Sequence, residues 1–212
     1  MSAVVPYRAS MRERFRASRG FTLIELMVTI TVIGIMLKAA IPSFTVWIGN
    51  SKIRTAAESV YAGLQIAKQE SVRRNARVLF QATNAASTSW SICVVAVGTL
   101  NCDGTQPVIQ ARDGGDESNS VRIGATTDGT LINAGAFGSG LAAGTGMPAA
   151  VMFDSMGRAV IAPGWLNTVR FDFRDPNLEL NNNERRLVVV VSPAGSPRMC
   201  DPQVPVGNPR SC

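Results

Sequence analysis

The chain has 212 residues, enough for one sizeable hydrophobic core with appendages and too few for two large domains. At 46% hydrophobic and 17% charged residues it is apolar for a soluble protein and far too polar to thread a membrane many times, so one apolar anchor joined to one globular domain fits both figures. The formal charge of +6 would ordinarily point to an anionic partner, but most of the excess lies near the amino terminus, where Arg8, Arg12, Arg14, Arg16 and Arg19 face only Glu13.

Those arginines stand directly before the run from Arg19 to Pro42, RGFTLIELMVTITVIGIMLKAAIP. Phe21 to Ile41 is about long enough to span a bilayer as a helix, and the basic flank predicts a cytoplasmic amino terminus with the rest of the chain beyond the membrane. Leu26 to Leu37 carries no charge, yet Glu25 sits just ahead of it, and a carboxylate in lipid is costly unless paired or protonated. A cleaved secretory signal would end in a small-residue site, which Ala39-Ala40-Ile41-Pro42 matches only loosely. A plain signal anchor explains neither Glu25 nor the glycine directly before the first hydrophobe. Gly34 and Pro42 are points of softening in the helix.

Arg19-Gly20-Phe21-Thr22-Leu23-Ile24-Glu25-Leu26 resembles the class III signal of type IV prepilins and type II secretion pseudopilins. The resemblance implies that a prepilin peptidase cuts between Gly20 and Phe21, that Phe21 is then N-methylated, and that the apolar helix is retained. It also makes Glu25 the assembly contact: its carboxylate neutralises the new amine at Phe21 of a neighbouring subunit, rewarding correct register when apolar stems pack together.

Past Pro42 an amphipathic helix is predicted to residue 77, with Ile53, Ala57, Val60, Leu64 and Ala67 forming an apolar stripe suited to packing on a sheet. Lys52, Glu58, Lys68, Arg73 and Arg74 fall on the polar remainder, and Gly49-Asn50 is read as a bend. Gln69 to Val78 resembles the helix-to-strand passage of minor pilins of the FimT, FimU and GspH kind. Strands are predicted at Val78–Ala82, Trp90–Val97, Val108–Ala111, Val121–Ala125, Ala150–Phe153, Ala159–Ile161, Val169–Phe173 and Leu187–Val191, separated by Gly, Asn, Asp and Pro. The expected fold is α+β: a long amino-terminal helix, hydrophobic and then amphipathic, on a mainly antiparallel sheet. Val169-Arg170-Phe171-Asp172-Phe173 alternates, which predicts one buried and one wet face. Asp154 to Arg158 reads as a hairpin connection and the Gly/Ala-rich stretch 133–149 as a mobile loop.

Cys93, Cys102, Cys200 and Cys212 form no CxxC pair, and the chain has no histidine, which disfavours structural zinc. An even count in a translocated domain favours two disulfides. Three connectivities exist; Cys93 with Cys102 and Cys200 with Cys212 is preferred, because nearby cysteines in loops close most easily.

No Walker loop, GxSxG or metal-ligand cluster is present, so neither catalysis nor a cofactor is expected. Asp172 with Asp175, and Asp113 with Asp116 and Glu117, read as solvated charges rather than working carboxylates. Ser192 to Cys200, SPAGSPRMC, resembles the terminal segment of the FimT and FimU group, in which a Gly-Arg-x-Arg version binds DNA. Here Arg198 matches the second arginine and Ser196 replaces the first, so DNA contact would fall to Arg198 with Arg185, Arg186 and Arg210, with exposed arginines on a stapled tail as the competing reading.

The expected organisation is a leader at 1–20, a membrane or filament-core helix at 21–42, an amphipathic helix at 43–77 and a β-rich periplasmic or extracellular domain at 78–212. The resemblance implies an inner-membrane protein that moves into a filament, and partners comprising prepilin peptidase, other pilins or pseudopilins and an inner-membrane assembly platform. Three roles follow: a minor pilin of a pilus tip or initiation complex, the H-type pseudopilin of a type II secretion system, or a DNA receptor on a competence pilus.

Overall fold

Residues 20–84, 88–96, 99–114, 120–132, 136–160, 168–179 and 183–212 are described by the structure, a computed structural model. The arginines of the expected leader, Asp116, Glu117, Val97 and Ile161 lie outside them. The chain divides into two units, Met1–Pro42 and Ser43–Cys212.

Helix α1 covers Leu23–Arg74. In the first unit its apolar side chains face outward: Leu23, Ile24, Ile35 and Met36 are all exposed. Among the described residues no single helix is long and apolar enough to cross a membrane; Leu23–Lys38 and Ser43–Arg74 meet the length and composition only as a pair. At its far end Arg73 and Arg74 both bond Glu70, whose carboxyl they hold at about 2. This clamp at the helix terminus therefore persists until the pH falls well below the ordinary carboxylate range.

In the second unit all five predicted stripe residues of α1 are buried. They share a core with two antiparallel sheets. The first has the order β3-β2-β1-β5-β6, with β1 Val78–Ala82, β2 Trp90–Val94, β3 Val108–Arg112, β5 Ala149–Phe153 and β6 Ala159–Val160. The second has the order β4-β7-β8-β9, with β4 Arg122–Thr126, β7 Val169–Arg174, β8 Leu187–Val191 and β9 Pro197–Cys200. Alternate residues of β1 and β7 meet in that core, where Phe80 and Phe171 stack edge to face at 6.3 Å. Trp90 donates its indole N–H to Ser59 Oγ at 2.9 Å, satisfying the polar end of a buried ring and tying β2 to α1.

Gly49-Asn50 is a docking point rather than a bend. Helix α1 continues through it, and a Cβ at Gly49 would lie 2.6 Å from Leu178 Cδ1, so glycine admits a side chain of the short helix α2, Pro176–Glu179. Asn50 accepts from the Arg185 backbone N–H at 2.7 Å and donates to the Asn183 carbonyl at 3.0 Å.

The largest departure from the sequence reading is β7. Its second face is dry: Arg170 and Asp172 are both fully buried, on the side of the sheet away from the common core. Asp172 accepts from Arg170 Nε at 2.8 Å, Arg170 Nη2 at 2.9 Å, Arg186 Nη1 at 2.8 Å and the Leu141 N–H at 2.8 Å. The two guanidinium groups in turn donate to carbonyls of Leu131, Ala136 and Ser139, and of Phe137 and Gly138. The described part of the Gly/Ala-rich stretch is thus pinned over the sheet by its own backbone. Gly140 serves this, since a Cβ there would lie 3.2 Å from the Arg186 side chain. Asp175 is no solvated charge either: it is buried, and its Oδ1 accepts from the Asn177 N–H at 2.9 Å at the start of α2.

Both disulfides form as preferred, Cys93–Cys102 and Cys200–Cys212. Each covers an outer sheet face, the first with Leu79, Val95 and Met152, the second with Phe137 and Val188. Replacing Cys93 and Cys102 together by alanine is expected to cost about 2–3 kcal/mol, from restored freedom of the unfolded loop, and urea unfolding of the full chain in detergent measures it.

Candidate functional site

The amino-terminal motif is laid out by helix capping. Thr22 precedes α1 and its Oγ1 accepts from the Glu25 backbone N–H at 3.3 Å, while the Leu26 N–H bonds the Thr22 carbonyl at 3.1 Å. Thr-x-x-Glu before an apolar run is the sequence pattern of a capping box, a signal overlooked in reading Glu25 only as an assembly contact. The carboxylate lies in the first turn, where the helix dipole favours a negative charge, and its side chain is solvent-exposed. Phe21 is 81% exposed. A Cβ added at Gly20 meets nothing within 4 Å, so packing in this chain does not demand glycine there.

The four carboxyl-terminal arginines separate into distinct environments. Arg186 is buried on Asp172 and is withdrawn from any phosphate contact. Arg198, on β9, is exposed and donates to the Ser211 carbonyl at 2.7 Å, bracing the stapled tail. Arg185 and Arg210 converge on one cleft of about 440 Å³, which also admits Arg54 and Asp201. Arg54 is the member the sequence reading missed. It lies on the helix, far from the others in sequence, and it bonds Glu58 at 2.8 Å.

A long amino-terminal helix that opens within Gly-Phe-Thr-x-x-Glu and whose second part packs on antiparallel sheets defines a pilin-like structural subunit. A family profile for the prokaryotic N-terminal methylation motif matches residues 15–39, and one described as type II transport protein GspH matches residues 56–195. The chain belongs to the GspH family of pseudopilins and minor pilins. Among solved structures it is similar to the type IV minor pilin FimU of Pseudomonas aeruginosa in two crystal forms: 18% identity, TM-score 0.46, 72% of this chain and 94% of that one; and 19%, 0.45, 71% and 97%. It is also similar to the minor pseudopilin EpsH from the type 2 secretion system of Vibrio cholerae, at 9% identity and TM-score 0.44, over 72% of this chain and 99% of that one. No curated protein matches the chain.

Proposed function

We propose that the chain is a minor subunit of a type IV pilus tip or initiation complex, cut by prepilin peptidase between Gly20 and Phe21 and N-methylated at Phe21. The observation that carries this reading is the methylation motif at 15–39, joined to a glycine that packing does not require. On this reading residues 1–20 form the leader, 21–42 the membrane and filament stem, 43–77 the amphipathic helix and 78–212 the periplasmic domain. The subunit waits in the inner membrane with its amino terminus cytoplasmic, and an assembly platform moves it into the filament. Glu25 joins the new amine of a neighbouring Phe21. Because the same residue also favours the first helical turn, its loss acts on both register and helix start.

The test is intact mass and amino-terminal sequencing of protein recovered from its native membrane. N-methylphenylalanine at residue 21, with the leader gone and two protons lost per disulfide, is the expected result; an uncut terminus overturns the reading. Glu25→Ala is expected to leave membrane insertion intact while reducing filament incorporation at least severalfold, measured by immunoblot of sheared filaments. Incorporation at the parent level would refute the contact.

The GspH match supports a second reading, the H-type pseudopilin of a type II secretion system. Copurification separates the two: pilus subunits in one case, secretion pseudopilins in the other. A DNA-binding role now draws only on Arg185, Arg198 and Arg210, and salt-sensitive DNA retention lost with those residues would favour it.

A further inference from the structure

The globular unit carries an exposed apolar ridge flanked by cations. Phe44, Trp47 and Ile48 of α1 are 61%, 68% and 46% exposed, unlike the buried stripe that follows them. Trp47 and Ser51, one helical turn apart, stand between two clefts and line both. One cleft, of about 470 Å³, holds Lys52 and Arg112 with Asp113; the other holds Arg185 and Arg210 with Asp201. None of these four cations has an ion pair among the described residues, and the carboxylates in the clefts are half as many. Between Glu25 and Glu58 the sequence contains no acidic residue at all.

We propose that this Trp47 ridge and its flanking cations form a docking surface for anionic phospholipid headgroups. The proposal rests on the anchored-subunit reading above. Indole at the level of the headgroups and guanidinium groups on lipid phosphates are the chemistry of a membrane interface. Nucleic acid would also engage the cations, but the aliphatic part of the ridge and its place in sequence, two residues after Pro42, favour lipid. Docked this way, a subunit is held at the bilayer surface by two contacts, its stem and this face, and must give up the second before it joins a filament.

The full chain in nanodiscs tests this. Acyl chains are brominated, in phosphatidylglycerol–phosphatidylethanolamine or in phosphatidylcholine, and the quenching due to Trp47 is the difference between the parent and Trp47→Phe. Quenching about twofold greater in the anionic discs is expected, falling to the phosphatidylcholine level in Arg185→Gln/Arg210→Gln and in about 0.5 M NaCl. Equal quenching in both lipids overturns the proposal while leaving the anchor intact, provided the chain floats with the lipid in a density gradient. A chain that does not float overturns the anchored reading and this proposal with it. If the double variant instead abolishes retention of duplex DNA and quenching is the same in both discs, the face is a nucleic-acid site and the lipid proposal fails.

Discussion

Replacing Asp172 with alanine is expected to lower the unfolding free energy by about 3–5 kcal/mol, a large part of the total for a domain of this size. The carboxylate accepts four hydrogen bonds while fully buried, and its loss strands two guanidinium groups, one wholly and one almost wholly out of water. Often the apolar replacement of a whole buried ion pair restores stability. Here it should not. Arg170 and Arg186 also donate to five loop carbonyls, so an Arg170→Met/Asp172→Leu/Arg186→Met variant leaves those acceptors without donors, and unfolding in urea should remain easier than in the parent. Hydrogen exchange supplies the local readout: the Leu141 amide, protected by Asp172, should exchange far faster in both variants. Parent-like protection of that amide would show that the loop is held by something else.

Gly195→Ala is expected to be the next most damaging single change. Its Cβ would fall 1.9 Å from the Gly157 carbonyl oxygen, and the backbone there has φ +70°. Because the obstacle is backbone, no side chain can yield. The turn between β8 and β9 must then lift from the turn between β5 and β6, breaking the bond from the Ala159 N–H to the Pro193 carbonyl that joins the two sheets. Forced displacement costs about 1–3 kcal/mol and the left-handed backbone about 1 more. Gly207→Ala isolates the second contribution, since φ is +100° there and nothing lies within 4 Å of the added carbon. Calorimetry on the two variants should give a clearly larger drop in Tm for Gly195→Ala; equal drops would mean that the contact between turns carries no energy.

These two sites mark where the sequence was legible and where it was not. Strands β1 and β8 fall on their predicted limits: β8 is almost all valine, and β1 opens with Val78, Leu79 and Phe80, runs that between turn residues can do little else. The helical stripe is equally plain, being five apolar positions at steps of three and four. Alternation in β7 misled because periodicity reports which residues share a face, not what covers it. A charged face reads as wet unless a partner such as Arg186 and a loop of small residues are known to lie over it. Strand β9 went unpredicted because Pro197 opens it and Arg198 interrupts its apolar pattern. Pro197 is tolerated at the first position of a strand on the sheet edge. The expected single sheet is two, a division fixed by contacts between residues distant in sequence. At the candidate sites, the cysteine pairing was readable from spacing alone, whereas burial of Arg186 and convergence of Arg54 with Arg185 and Arg210 depend on the tertiary fold.

The cysteine spacing also bears on how the molecule is made. Each cysteine's partner is 9 or 12 residues away, while every alternative pairing must close a loop of about a hundred residues or more, which costs about 2 kcal/mol more in chain entropy. Under oxidising conditions an unfolded chain therefore meets its native partners first, by diffusion alone. Neither bond crosses between the sheets, so oxidation need not wait for the fold and cannot lock it into a wrong topology. Maturation of this subunit is expected to need an oxidant but little proofreading by a disulfide isomerase.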